Sequence, residues 1–207
     1  MNQLKTGLAI AAFALLSPLS HAAGIVNGGF EDSSFSGNFQ TIYAGSSDLS
    51  GWDITAGSVD LINTYWQPAL GHYSLDLNGN SAATISQSFA TVVGQTYTVS
   101  FDMAGNTDGG GSIKVITAGA NGDHSFSFDS SGKSHGAMGW TTMSFNFVAD
   151  SATSTLRFSG NADNSYYGAA LDNISVTAAV PEPETYGMLL AGLGLVGFIA
   201  RRKKAAA

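Results

Sequence analysis

Four aromatic side chains stand in polar, loop-like surroundings. Tyr65 and Trp66 lie within Asn63-Thr64-Tyr65-Trp66-Gln67-Pro68, and Tyr166 and Tyr167 within the stretch from Asn161 to Gly168. Rings in such places can stack on the apolar faces of sugar rings while neighbouring polar groups take up the hydroxyls. Tyr65, Trp66, Tyr166 and Tyr167 are therefore the candidate ligand-binding platform. Trp52 and Trp140 each follow a glycine and precede an alternating run, a position that favours packing over display.

Catalytic chemistry finds little support. His72, His124 and His135 stand in no metal-ligand spacing such as H-E-x-x-H, and no G-x-S-x-G elbow occurs. Glycoside hydrolysis needs two carboxylates facing each other across a cleft, and acids are numerous enough here that some pair is inevitable. Asp76-x-Asn78-x-Asn80 opens like an EF-hand loop, but Ser81 replaces the required Gly and Gln87 the closing Glu, so it reads as a turn. The G-x-G-x-x-G of Gly192 to Gly197 lies in an apolar tail with no strand before it and is a false match. The chain reads as non-enzymatic.

The elements that position these residues are strands. From Gln95 to Met103 the apolar Tyr97, Val99, Phe101 and Met103 alternate with polar neighbours, the mark of a half-buried antiparallel strand. The same period appears at Val59 and Leu61, Tyr73 to Leu77, Ala83 to Phe89, Ile113 and Val115, Phe126 and Phe128, Met143 to Phe147, Leu156 and Phe158, and Ile174 and Val176. These runs, separated by Gly/Asn/Asp turns, predict an all-β fold: an antiparallel two-sheet sandwich. Gln87 falls on the apolar parity between Ile85 and Phe89, which implies either a bulge or a buried polar network. The loop from Gly105 to Ser112 is the most flexible-looking segment.

The two ends belong to sorting. A basic start at Lys5, an apolar run from Leu8 to Leu16 and the small residues Ser20 and Ala22 predict a signal peptide over 1–22, a helix too short to anchor. At the other end Pro181-Glu182-Pro183 precedes an apolar stretch from Tyr186 to Ala200 and the cations Arg201 to Lys204, which predicts a transmembrane helix with the preceding domain outside. This leaves one domain at 23–179, and a terminal segment at 180–207. Of 8 Lys and Arg in the chain the domain keeps only Lys114, Lys133 and Arg157, while all but Glu182 and Glu184 of the 15 acids remain in it, a balance near −10. So acidic a surface excludes nucleic acid as a partner and suits solubility and divalent cations. With no cysteine, disulfides and thiolate metal sites are also excluded.

Pro181, Glu182 and Pro183, the glycine-rich apolar segment and the basic terminus resemble the PEP-CTERM sorting signal of Gram-negative bacteria that make exopolysaccharide. That resemblance implies export through the inner membrane, cleavage by an exosortase-type protease, transient attachment to the membrane, and residence in the envelope, at the surface or in the biofilm matrix. The domain itself resembles the choice-of-anchor C family in Asn27-Gly28-Gly29-Phe30-Glu31, Gly51-Trp52, Tyr65-Trp66-Gln67-Pro68, Ser74-Leu75-Asp76-Leu77-Asn78-Gly79, Ile85-Ser86-Gln87-Ser88-Phe89 and Leu171-Asp172-Asn173-Ile174-Ser175-Val176. It is similar, more distantly, to carbohydrate-binding modules with a galactose-binding-like jelly roll. Those modules imply a structural Ca2+ held by the carboxylates at Glu31 and Asp172, and an exopolysaccharide or other glycan as partner. The alternative is a structural or adhesive surface protein that binds proteins or itself; a polysaccharide-acting enzyme is the minor one.

Overall fold

The computed structural model describes residues 24–179 and 183–205. The expected signal helix at 1–22, together with Pro181 and Glu182, lies outside the described residues. Two antiparallel sheets make up the domain. In the first, β1 (Phe39–Tyr43), β3 (Ser58–Ile62), β4 (Ser74–Asp76), β11 (Ala169–Ala178), β6 (Thr96–Gly105) and β9 (Thr141–Val148) lie side by side in that order. In the second the order is β2 (Asp53–Ala56), β5 (Thr84–Ala90), β10 (Thr153–Gly160), β7 (Ile113–Gly119) and β8 (Asp123–Asp129).

The period-two pattern decides which face each strand buries. In β6 Tyr97, Val99, Phe101 and Met103 are buried, and in β10 Leu156 and Phe158 are. The ring of Phe101 meets Phe158 edge-on at 5.1 Å, so residues of both sheets fill one core. All nine expected strands form. The added β1 and β2 escape the pattern because each buries one apolar residue deeply, Ile42 and Ile54.

Gln87 faces the core and forms a polar network, not a bulge. Its pairing with Leu156 lies in an unbroken β5–β10 register, and its side-chain amide bonds reciprocally to the N–H (2.6 Å) and C=O (2.9 Å) of Val26. The N-terminal segment is thereby fastened to the second sheet. It also reaches the first: the Ile174 N–H donates to the Gly28 carbonyl at 2.8 Å, within the irregularity in the β11–β6 pairing between Asp172 and Ser175. Only glycine allows that approach, since a Cβ on Gly28 would stand 2.0 Å from the Ile174 oxygen.

Among the described residues one α-helix forms, α1 (Pro183–Ala205), outside the β-domain. The expected transmembrane helix is not shown: no helix among the described residues is long and apolar enough to cross a membrane. The apolar part from Tyr186 to Ala200 rises roughly 22 Å at about 1.5 Å per residue, short of a hydrocarbon core of about 30 Å.

Candidate functional site

The strand pairing places three polar side chains of the first sheet in a row. Thr41 of β1 is opposite Asp60 of β3, and Asp60 is opposite Asp76 of β4. They have the parity opposite to Val59, Leu61 and Leu75, whose side chains fill the core. A cleft of about 210 Å³ opens over this row, lined also by Phe39, Tyr65, Trp66, Asn80, Asn106, Asp108, Tyr166 and Tyr167. That is below the roughly 300–1,000 Å³ of pockets for drug-sized ligands, a size for one ring and its substituents.

Its aromatic lining comes in two groups. Tyr65 packs on Phe39 (ring centroids 5.4 Å) and on Trp66 (5.8 Å), while Tyr166 and Tyr167 stand edge-to-face at 6.5 Å. The Tyr65 hydroxyl donates to Asp108 Oδ2 at 2.7 Å, and His135 Nε2 lies 2.9 Å from Asp108 Oδ1. The bond to Asp108 favours the neutral phenol and pushes the Tyr65 pKa up to about 12. Tyr65 thus presents a fixed ring.

The loops that carry these rings are tied down by a buried cation. Lys114 is fully buried, and its Nζ donates to the carbonyls of Gly109 and Tyr167. Burial pulls its pKa down, against the attraction of Asp76 and Asp108. Asn164, buried beside it, donates to Gly110 and Ile113 carbonyls and accepts from the Val115 N–H. The segment from Gly105 to Ser112, flexible-looking in sequence, is therefore fastened to the Tyr166–Tyr167 loop.

Asp76 is the most unusual group at the site. It is 1% exposed and accepts from the N–H groups of Asn78 and Gly168 and from Asn106 Nδ2. Burial nevertheless raises its pKa to about 7, with the nearby Asp60 adding to the rise. Asp60 is also raised by burial, offset by the Thr41 hydroxyl. Asp76-x-Asn78-x-Asn80, read as a turn, does turn the chain; it also supplies two of the cleft's residues, which sequence alone did not reveal.

Of the expected platform, the structure brings Tyr65, Tyr166 and Tyr167 together around the cleft, with Tyr166 56% exposed. The expected exposure of Trp66 is corrected: it borders the cleft but is only 3% exposed, and it sends its indole N–H to Ser74 Oγ at 2.8 Å. Trp52 is likewise buried, its indole bonded to the Asn27 carbonyl, and Trp140 is half-buried against the Gln67 carbonyl.

Glu31 and Asp172 come together elsewhere, on the loop that precedes β4. Glu31 Oε1 accepts from the His72 and Tyr73 amides at 2.8 and 3.0 Å. Asp172 Oδ2 accepts from Ala69 and Leu70, and its Oδ1 from Asn173. Burial raises the Asp172 pKa to about 6, and the charge of Glu31 adds to the rise, against the three amides. Among the described residues no group of three or more His, Cys, Asp or Glu is placed to hold a metal ion.

Several known proteins resemble this chain. A Stig cyclase, FisC, from Fischerella sp. TAU shares its fold over 79% of this chain and all of that one, with a TM-score of 0.56 at 14% identity. A family 16 carbohydrate-binding module is similar over 73% of this chain and 97% of that one, with a TM-score of 0.47 at 19% identity. In sequence, Halomucin of Haloquadratum walsbyi is 31% identical over 158 residues; the match takes in 73% of this chain and only 2% of that protein's length. Residues 179–204 match the PEP-CTERM protein-sorting motif, a signal for export to the cell envelope or surface. Residues 23–177, nearly all of the β-domain described above, match the family described as protein of unknown function (DUF642), and the chain belongs to that family.

Proposed function

We propose that this is an exported, non-enzymatic surface protein whose β-domain holds a glycan in the cleft above Thr41, Asp60 and Asp76. The observation that carries the reading is the combination of exposed and half-buried tyrosine rings with carboxylate and amide oxygens in one small cleft. Flat rings meet the C–H faces of a sugar, and fixed acceptors meet its hydroxyls. The sandwich also serves an enzyme, the cyclase FisC, so the fold alone does not set the function. What favours binding over catalysis is that the Asp76 and Asp108 oxygens are already committed to hydrogen bonds within the protein.

The sorting motif supports processing by an exosortase-type protease near Pro181-Glu182-Pro183, and a place in the envelope or matrix of a Gram-negative cell, where exopolysaccharide is the glycan at hand. The choice-of-anchor C assignment and the jelly-roll description belong to the same reading. So does a structural calcium ion between Glu31 and Asp172. Two carboxylates close enough to repel favour a cation, Glu31 Oε2 accepts no bond among the described residues, and backbone carbonyls would complete the shell.

Affinity electrophoresis of the full chain through gels containing bacterial exopolysaccharides tests the glycan reading. Retardation that is lost in Tyr166→Ala, with an unchanged melting temperature, is the expected result. Equal mobility in every gel would instead favour the adhesive alternative.

A further inference from the structure

The charge of the cleft restricts what it can take. Its lining holds three carboxylates, Asp60, Asp76 and Asp108, and no Lys, Arg or His. The nearest cation described, Lys114, spends its donors on the carbonyls of Gly109 and Tyr167. Asp108 is occupied by Tyr65 and His135, and Asp76 by three N–H donors. Asp60 differs. It accepts the Thr41 hydroxyl on Oδ1 at 2.6 Å and has no donor on Oδ2 among the described residues.

Asp60 and Asp76 stand directly opposite each other on antiparallel strands. Charge on both would repel, so the buried Asp76 keeps its proton to near pH 7 and the open negative charge of the pair rests on Asp60. A pair of this kind, opening on a cleft walled by aromatic rings, creates a place where positive charge is favoured twice: by the carboxylates and by the negative faces of the rings. An ammonium brings three donors and no acceptor, the complement of an open carboxylate oxygen. A uronate would add a further negative charge to the same space. A neutral sugar could satisfy Asp60 through a hydroxyl but would leave the charge unmet.

We propose that the sugar residue taken by the cleft bears a free ammonium, that is, a de-N-acetylated amino sugar, with Asp60 as the residue that selects it. The inference rests on the glycan-binding reading of the same cleft and sharpens it to one class of glycan.

Isothermal titration of the full chain with short oligomers of glucosamine, N-acetylglucosamine and galacturonate separates the two. A charge-assisted hydrogen bond at a part-buried site predicts that the glucosamine oligomer binds about tenfold or more tighter than its N-acetylated counterpart. The galacturonate oligomer should be weakest, and added salt should narrow the gap. Asp60→Asn should bring the glucosamine and N-acetylglucosamine affinities near parity. Asn80→Asp, at the exposed rim of the cleft, should widen the difference and covers the case in which Asp60→Asn fails to fold.

Because the whole domain is acidic, a preference for glucosamine that survives Asp60→Asn, or one that Asn80→Asp leaves unmoved, is nonspecific attraction and overturns the proposal. Equal affinity for the two oligomers, still dependent on Tyr166, overturns it too while leaving the glycan reading in place. Binding of none of the three overturns both.

Discussion

At the scale of single residues, the cleft depends on a carboxyl group kept against its preference. Asp76 is buried with a pKa near 7, so the folded chain holds a proton that the unfolded chain releases at ordinary carboxylate values. For a group raised in this way the stabilisation is complete below about pH 4, declines as pH rises, and is gone above about pH 7. Asp172, raised to about 6, pulls in the same direction. The melting temperature of the full chain should therefore fall between about pH 4 and pH 7, and the slope should be smaller in Asp76→Asn; a slope unchanged by that substitution would show that Asp76 does not carry it. Little of this was legible in the sequence. The run from Asp76 to Asn80 has the composition of a turn, and nothing in composition tells a turn aspartate in water from one sealed under two loops. Trp66 shows the same limit from the other side. Its polar neighbours suggested exposure, but the bond from its indole N–H to Ser74 compensates its burial.

At the scale of elements, two contacts set the geometry of the domain. Lys114 joins the loop after β6 to the Tyr166–Tyr167 loop, and Lys114→Met would leave the Gly109 and Tyr167 carbonyls without that donor. With about 1–3 kcal/mol for each of the two carbonyls left unpaired, a loss of roughly 2–6 kcal/mol is expected in denaturant unfolding, with weakened glycan binding at temperatures where the variant is folded. Gly28 lets the N-terminal segment lie against β11. A methyl group there would collide with the Ile174 carbonyl, and Gly28→Ala should cost about 3 kcal/mol or more by the same measurement. The calcium proposal is tested at this scale as well: millimolar Ca2+ should raise the melting temperature of the full chain and leave Glu31→Gln unmoved, whereas no rise in the parent chain would remove the ion from the account. Strands with clean alternation, such as β6 and β9, were legible because one face is buried along their length. The strands β1 and β2 were not, since at the sheet edges too few of their residues touch the core to write a period into the sequence.

At the scale of the molecule, the chain combines an address and a domain. The composition of the ends hid the character of the middle: most of the cations lie at the two ends, Lys5 and Arg201 to Lys204, and the domain that remains carries a charge near −10. That surplus lines the candidate site with acids as it does the surface, which is why the site suits an ammonium-bearing glycan better than a uronate. The two-sheet architecture was legible from period and turns, and the sorting motif from its order of elements. The location of the cleft was not, because it depends on which strands become neighbours: β3, β4 and β11 are adjacent in space across long stretches of sequence. The central claim is that a sugar occupies this cleft. It is tested most directly by amide chemical-shift mapping of the full chain titrated with a glucosamine oligomer. The account predicts saturable shifts centred on Thr41, Asp60, Tyr65, Asn80, Tyr166 and Tyr167. Shifts centred elsewhere on the domain, or none at saturating oligomer, would contradict it.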